Sequence, residues 1–363
     1  MKDDSYYMKL AIENAKAMKG QTSPNPLVGA ILVKDGKIVG IGAHLQAGEP
    51  HAEIHALQMA GQKAKDAVMF VTLEPCAHHG KTGSCTEALM KSGVKRVVIA
   101  SKDPNPLVSG KGVAMLKKAG IEIEEGLCRE EAVRLNAPFF HSIQYNRPFV
   151  TLKTAISLDG KIATSKRESK WITGEEARQD VQCIRQESDA IITGVETVIQ
   201  DDPSLTVRRK EVIQPVRVIL DSKLRIPLFA KCLTDGKAET IICTSRQYDK
   251  EKREQLENKG VNVFVTSGRK YTNLPDVLRM LRERSMMSVL IEAGGHVNAS
   301  FLEAGLVNEV VIYMAPIFIG GQKAPTFFEG NGFERLAETI RVTEMKSDMM
   351  GSDMKLTLRL SSH

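Results

Sequence analysis

The stretch TLEPCAHHGKTGSC, residues 72–85, decides the reading of the first half of the chain. It begins on the last two residues of the apolar run VMFVTL (68–73), a buried strand, and precedes TEALMKS (86–92), a helix. Cys76 and Cys85 stand far enough apart to leave eight residues between them. In a chain of 363 residues with six cysteines, such a local pair points to metal or catalysis rather than a disulfide. Cys128, Cys183, Cys232 and Cys243 are scattered and read as ordinary buried thiols. Upstream, His51-Ala52-Glu53 opens a helix over 51–61. Zinc takes imidazole and thiolate ligands, and a catalytic site leaves one position for water, whose pKa falls to about 7. His51, Cys76 and Cys85 supply three ligands, and two thiolates balance the ion's charge. Glu53 is spaced to face the water without ligating the ion, the position of a proton shuttle. A structural knuckle closed by His78 or His79 is the competing reading; Glu53 favours catalysis.

Working outward, an amphipathic helix over 4–19 precedes strands Val28–Val33 and Lys37–Gly42, which the Asp35-Gly36 turn joins as a hairpin. A strand at 96–100, a DPNP loop, a helix at 111–119, a strand at 121–125 and a helix at 129–140 complete a three-layer α/β domain. YNRPF (145–149) is the boundary, giving domains 1–145 and 146–363. The second half alternates strands at 149–156, 189–193, 216–220, 240–244, 261–265, 288–292 and 308–313 with helices at 175–186, 249–258, 275–283 and 296–304. It reads as a mostly parallel sheet, with Lys355–Leu360 as an edge strand. The paired methionines Met286-Met287 and Met349-Met350 read as core or terminal filler.

Composition excludes several classes. Hydrophobic residues at 42% and charged residues at 26% are globular values. The net charge of +6 is spread without a run of like charges, which argues against nucleic-acid and membrane partners. There is no secretory h-region and no apolar window of about 18 residues, so a cytoplasmic location is expected.

The H-A-E and P-C pattern resembles the zinc deaminases of cytidine type, which attack an amidine-like carbon of a base. Those that act on nucleosides and nucleic acids usually place two residues between the cysteines, not eight. The wide spacing, with TSPNPLVGA (22–30) and G-x-G-A-H (40–44), resembles instead the bifunctional deaminase/reductase of riboflavin biosynthesis. The resemblance continues through KTAISLDGKIA (153–163), WITG (171–174), G-x-x-T-x-x-x-D-D-P-x-L-x-x-R (194–208) and IEAGG (291–295). Gly83-Ser84 departs from the Pro-Pro that such proteins often carry there. The resemblance implies a cytidine-deaminase-like domain followed by a dihydrofolate-reductase-like domain. It also implies zinc and NADPH as cofactors, a phosphorylated pyrimidine as substrate, and a homo-oligomer. The implied reactions are loss of a 2-amino group and reduction of ribosyl to ribityl. A nucleoside or tRNA base deaminase with an unrelated second domain, and a zinc-stapled binding module without chemistry, are the alternatives.

With the resemblance, Asn25, His44, Ala77, His78 and Lys81 are substrate contacts of the deaminase. Lys81 is a cation beside the metal, suited to a sugar phosphate. In the reductase the resemblance puts Ser169, Arg185, Leu205, Arg208 and Glu292 on the substrate, with the two arginines as phosphate anchors. It puts Ala155, Trp171, Thr197, Asp201, Ser222, Gly294 and Gly295 on the cofactor. No Rossmann fingerprint occurs in this half; Gly294-Gly295 instead offer close backbone approach before a helix N-terminus. Lys153, projecting from the first strand of the domain, is the candidate to assist ring opening of the ribosylamine.

Overall fold

The computed structural model describes residues 2–77, 83–106, 108–209 and 211–361, and the chain divides between Asn146 and Arg147 into two units. In the first, α1 (Asp4–Lys16) precedes a hairpin of β1 (Gly29–Lys34) and β2 (Lys37–Ala43). Asp35 and Gly36 have φ of 50° and 71°, the positive values a two-residue hairpin turn requires. Then come α2 (Ala52–Ala60), β3 (Val68–Leu73), α3 (Cys85–Ser92), β4 (Arg96–Ser101), α4 (Lys111–Lys118), β5 (Glu122–Glu125), α5 (Arg129–Leu135) and α6 (Ala137–Tyr145). The sheet order is β2-β1-β3-β4-β5; β1 is antiparallel to both neighbours and the other pairs are parallel. Alternation along the strands makes three layers. Ala30, Leu32, Val97 and Ile99 pack with Ala52, Ala56 and Leu89 of α2 and α3. Ile31, Val33, Val98 and Ala100 pack with Tyr7, Met8 and Ala11 of α1 and Ala132 of α5.

Two glycines set the position of α2. A Cβ at Gly42 would lie 2.0 Å from the Ala52 carbonyl oxygen, and one at Gly40 would lie 2.2 Å from that of Ala56. Only glycine lets β2 approach the helix this closely, which fixes the helix end that carries His51 and Glu53. The helix expected over 129–140 is broken into α5 and α6. Asn136 leaves helical geometry there, and its carboxamide exchanges two hydrogen bonds of 2.8 Å with the Leu27 backbone. Pro138 then starts the next helix.

The second unit runs β6 (Phe149–Ser157), α7 (Glu175–Gln186), β7 (Ala190–Gly194), α8 (Val195–Asp201), β8 (Val216–Leu220), α9 (Lys231–Thr234), β9 (Thr240–Thr244), α10 (Lys250–Glu257), β10 (Asn262–Val265), α11 (Leu274–Glu283), β11 (Ser288–Ile291), α12 (Gly295–Glu303), β12 (Glu309–Ala315), β13 (Val342–Met350) and β14 (Asp353–Leu360). Its sheet has the order β10-β9-β8-β7-β11-β6-β12-β14-β13, parallel up to β12 and antiparallel thereafter. Helices α11 and α12 cover one face. Helices α7, α8 and α10 cover the other, and the central strands are apolar on both sides.

The expected C-terminal edge strand is corrected. β14 lies inside the sheet between β12 and β13, and β13 is the edge. β13 is exposed over most of its length and so carries no alternating pattern to announce it. Met349 and Met350 belong to this strand. Cys128 and Cys183 are also not fully buried, as expected of core thiols; both are intermediate. Among the described residues no helix is long and apolar enough to cross a membrane.

Candidate active sites

Three chain segments meet at the carboxyl end of β3. Cys76 lies three residues past the end of that strand, Cys85 is the first residue of α3, and His51 is the N-cap of α2. The ligand atoms of His51, Cys76 and Cys85 lie within 4.8 Å of one another. His51 Nδ1 is 3.2 Å from Cys85 Sγ and 3.5 Å from Cys76 Sγ, and the Cys85 N–H points at Cys76 Sγ from 3.4 Å. Two helix N-termini therefore face one pair of sulfurs, the arrangement that favours thiolate. The hydrogen bond from Cys85, joined by His51, draws the Cys76 thiol down to about 4. Cys85 is held high by the same bond and by burial, so the pair shares one proton. A half-buried imidazole with two sulfurs, one readily ionised, fits a divalent zinc ion, which would take that proton's place.

Glu53 lies in the first turn of α2, 3% exposed, and its Oε2 has no hydrogen-bond partner among the described residues. Burial pushes its carboxyl above the usual range. An orphaned buried carboxylate oxygen beside a metal donor set implies a group still to be bound. Beside it His44, 2% exposed, sits edge-on to His51 with ring centres 5.3 Å apart. Its Nδ1 meets the Pro50 carbonyl at 3.3 Å and its Nε2 meets Asn25 Nδ2 at 3.0 Å. The carbonyl requires the proton on Nδ1, so Nε2 accepts from Asn25. Burial lowers the His44 pKa, keeping it neutral. Asn25 and His44 are thus brought to the metal group, and half-buried Ala77 follows Cys76. His78 and Lys81 lie outside the described residues.

Sequence reasoning missed Glu74. Its carboxylate accepts the N–H groups of Gly110 at 3.0 Å and Val113 at 3.3 Å, which fixes the loop after β4. Its only trace in the sequence is an acid placed where a buried strand ends.

In the second unit Lys153, on β6, and Glu292, just past β11, each follow by one residue the register pair Leu152–Ile291. Lys153 Nζ is 3.7 Å from Glu292 Oε2. Arg185 of α7 grips Glu292 with Nε at 2.6 Å and a second nitrogen at 2.8 Å, and donates its third to the Thr206 carbonyl at 3.0 Å. Burial would raise the Glu292 carboxyl, but the two cations overturn it and hold it at about 2. Burial lowers Lys153 despite that neighbour. Arg185 is therefore committed to Glu292, whereas Arg208 is exposed with no ion-pair partner among the described residues.

The other expected contacts divide. Trp171 is 63% exposed, so it is not a core anchor, and Arg178 stacks 4.9 Å from its ring centre. Ala155, Ser169 and Thr197 are half-buried. Asp201 lies 3.8 Å from Lys170 Nζ. Ser222 Oγ is already paired with Thr272 at 3.1 Å. The Leu205 side chain is in the core, leaving only its backbone for a ligand. Gly294, N-cap of α12, would meet nothing with a Cβ, an open cradle before helix N–H groups that fits a dinucleotide phosphate. Gly295 is different: its missing Cβ makes room for the Thr326 carbonyl at 2.4 Å.

A His-Cys-Cys group beside a buried glutamate, on this five-stranded sheet, defines a zinc deaminase of cytidine type; the second unit adds a nucleotide-binding α/β reductase fold. Residues 1–101 match the cytidine and deoxycytidylate deaminase zinc-binding region, and residues 148–356 match the RibD C-terminal domain. A riboflavin biosynthesis protein RibD of Bacillus amyloliquefaciens is 50% identical, covering 98% of this chain and 95% of the relative. The solved Acinetobacter baumannii RibD is 43% identical with a TM-score of 0.89, covering 99% of both chains. The Thermotoga maritima diaminohydroxyphosphoribosylaminopyrimidine deaminase/5-amino-6-(5-phosphoribosylamino)uracil reductase is 36% identical with a TM-score of 0.86, covering 98% of both. The chain belongs to the RibD family of riboflavin biosynthesis proteins. Matches that span both units leave no place for an unrelated second domain.

Proposed function

We propose that this chain performs two successive reactions on one phosphorylated pyrimidine of riboflavin synthesis. The first is hydrolytic deamination of 2,5-diamino-6-ribosylamino-4(3H)-pyrimidinone 5′-phosphate, consuming water and releasing ammonia. The second is NADPH-dependent reduction of the ribosyl side chain to ribityl phosphate. The observation that carries the reading is the convergence of His51, Cys76 and Cys85 beside the unpartnered Glu53 oxygen.

In the first unit His51, Cys76 and Cys85 would hold zinc, which when bound supplies Lewis acidity to activate water. Glu53 passes one of the water's protons to the ring nitrogen and, in a second transfer, the other to the departing amine; its raised pKa suits both transfers. Asn25 and His44 orient the pyrimidine, with the neutral His44 ring held by Pro50. Lys81 and Ala77 complete the substrate contacts of this reading.

In the second unit NADPH, when bound, supplies the reducing hydride. Gly294 and the start of α12 take its phosphates, with Trp171, Thr197, Asp201 and Ser222 along its length. Lys153 donates a proton to the ribose ring oxygen as the ring opens, an action its lowered pKa favours. Glu292, fixed by Arg185, holds Lys153 in place, and Arg208 takes the substrate phosphate. The reading includes a cytoplasmic homo-oligomer acting on small molecules, without nucleic acid or membrane; sedimentation of the purified protein tests the oligomer.

Incubating purified protein with the ribosylamine phosphate, with and without NADPH, tests the whole. Deamination exchanges nitrogen for oxygen and reduction adds hydrogen, so mass spectrometry reads each step. Absence of both products refutes the reading.

A further inference from the structure

The loop that carries Ser169 and Trp171 runs directly into α7, and it is tied down by residues that no motif singled out. Asp353, the first residue of β14, is 1% exposed, and its Oδ2 accepts the Gly174 N–H at 2.7 Å. Gly174 is the N-cap of α7, where a carboxylate also gains from the helix dipole. Two residues further along the same face of β14, Lys355 donates to Asp180 Oδ2 at 2.5 Å, and Tyr313 donates to that oxygen at 2.5 Å. β14 is thereby fastened to α7 both at its start and along its first turns. From within α7, Arg178 donates to the Thr173 carbonyl at 2.6 Å and lies against the Trp171 ring.

The geometry points to Asp353 and Arg178 as positioning residues for NADPH: they hold the Trp171 loop in the form that receives the cofactor. The inference rests on reading Trp171 as a cofactor contact. Asp353 opens a strand that pairs with the exposed edge β13, yet its own side chain is buried on the loop's last N–H. Removing that acceptor leaves the part-buried Gly174 N–H unpaired and frees the loop. Arg178 acts on the carbonyl of the same Thr173–Gly174 peptide and on the ring itself, so the two residues hold both sides of the peptide that joins the loop to α7.

Trp171 is the only tryptophan of the chain, so its emission reports this loop directly. The test uses the full-length protein and the variants Asp353→Ala, Asp353→Asn and Arg178→Met. Each is titrated with NADPH while Trp171 emission is followed, and each is assayed for reduction and for deamination. NADPH is expected to quench Trp171 in the unaltered protein. Asp353→Ala and Arg178→Met should raise the Kd and KM for NADPH about tenfold, the effect of one lost charge-assisted hydrogen bond. Their kcat should change less than about threefold, and deamination should not change. Asp353→Asn keeps an oxygen acceptor and should stay within about threefold of the unaltered protein. Arg178→Met keeps the test decisive where Asp353→Ala fails to fold. Unchanged NADPH affinity in Arg178→Met, or Asp353→Asn failing as badly as Asp353→Ala, overturns the positioning role. If NADPH leaves Trp171 emission unchanged in an unaltered protein that still reduces substrate, the placement of the cofactor beside Trp171 falls instead.

Discussion

Glu292→Gln removes one charge from a cluster of three and keeps the side chain's shape. Lys153 Nζ lies 3.7 Å from the lost charge, where a pair of unit charges attracts by about 4 kcal/mol at an effective dielectric of about 20. That equals roughly three pKa units, and relaxation with water entry reduces the expected change to about one or two. Glu292 raises the Lys153 pKa, while burial and Arg185 lower it. Losing Glu292 therefore moves Lys153 further down, and the alkaline limb of the reduction profile moves to lower pH. Stability changes as well. The Glu292 carboxyl stands at about 2 against an ordinary 4.5, a difference worth about 3 kcal/mol. A depressed carboxylate stabilises the fold above its unfolded pKa, and the contribution is lost as pH falls from about 4.5 toward 2. A loss of similar size, about 3–5 kcal/mol, follows from leaving Arg185 buried without its partner. The assays are reduction of pre-deaminated substrate across pH and urea unfolding followed by circular dichroism, with deamination as the control. An alkaline limb and an unfolding midpoint both unchanged would refute the argument that Glu292 is the electrostatic partner of Lys153 and Arg185.

Glu53→Gln should keep a full complement of zinc and lose deamination about 10³-fold, within the range of general acid–base catalysis; loss of the metal would make Glu53 a ligand. Cys76→Ser or Cys85→Ser should strip zinc and deamination together while reduction continues, since a hydroxyl stays protonated at neutral pH; metal analysis showing full occupancy in both would break the ligand set. Arg208→Ala should raise the KM of the phosphorylated substrate about tenfold or more and that of a dephosphorylated analogue hardly at all. Equal changes would move the phosphate elsewhere.

What the sequence disclosed about the sites, and what it hid, follows from how each residue is held. The zinc group was legible because its members are donor types rare on a random surface and sit at element ends that hydrophobic pattern marks: His51 before α2, Cys76 after β3, Cys85 opening α3. Local geometry does most of the placing, so spacing along the chain survives as spacing in space. The five-stranded layer was legible for the same reason, since alternation along β1 and β4 assigns each side chain to a face. The restraining residues behave differently. Glu74 reaches Val113 across 39 positions, Arg185 reaches Glu292 across 107, and Asp353 reaches Gly174 across 179. Apart from the place of Glu74 at the end of a buried strand, nothing local distinguishes these acids and this arginine from solvated ones; only strand order and register bring them to their partners. The same cause explains β13, whose exposed residues make no pattern and whose existence depends on β14 being in place beside β12. Arg185 shows the consequence for function. Its type alone suggests a phosphate anchor, but the register that lifts Glu292 beside Lys153 spends all three of its nitrogens, whereas Arg208 is exposed and has no ion-pair partner among the described residues.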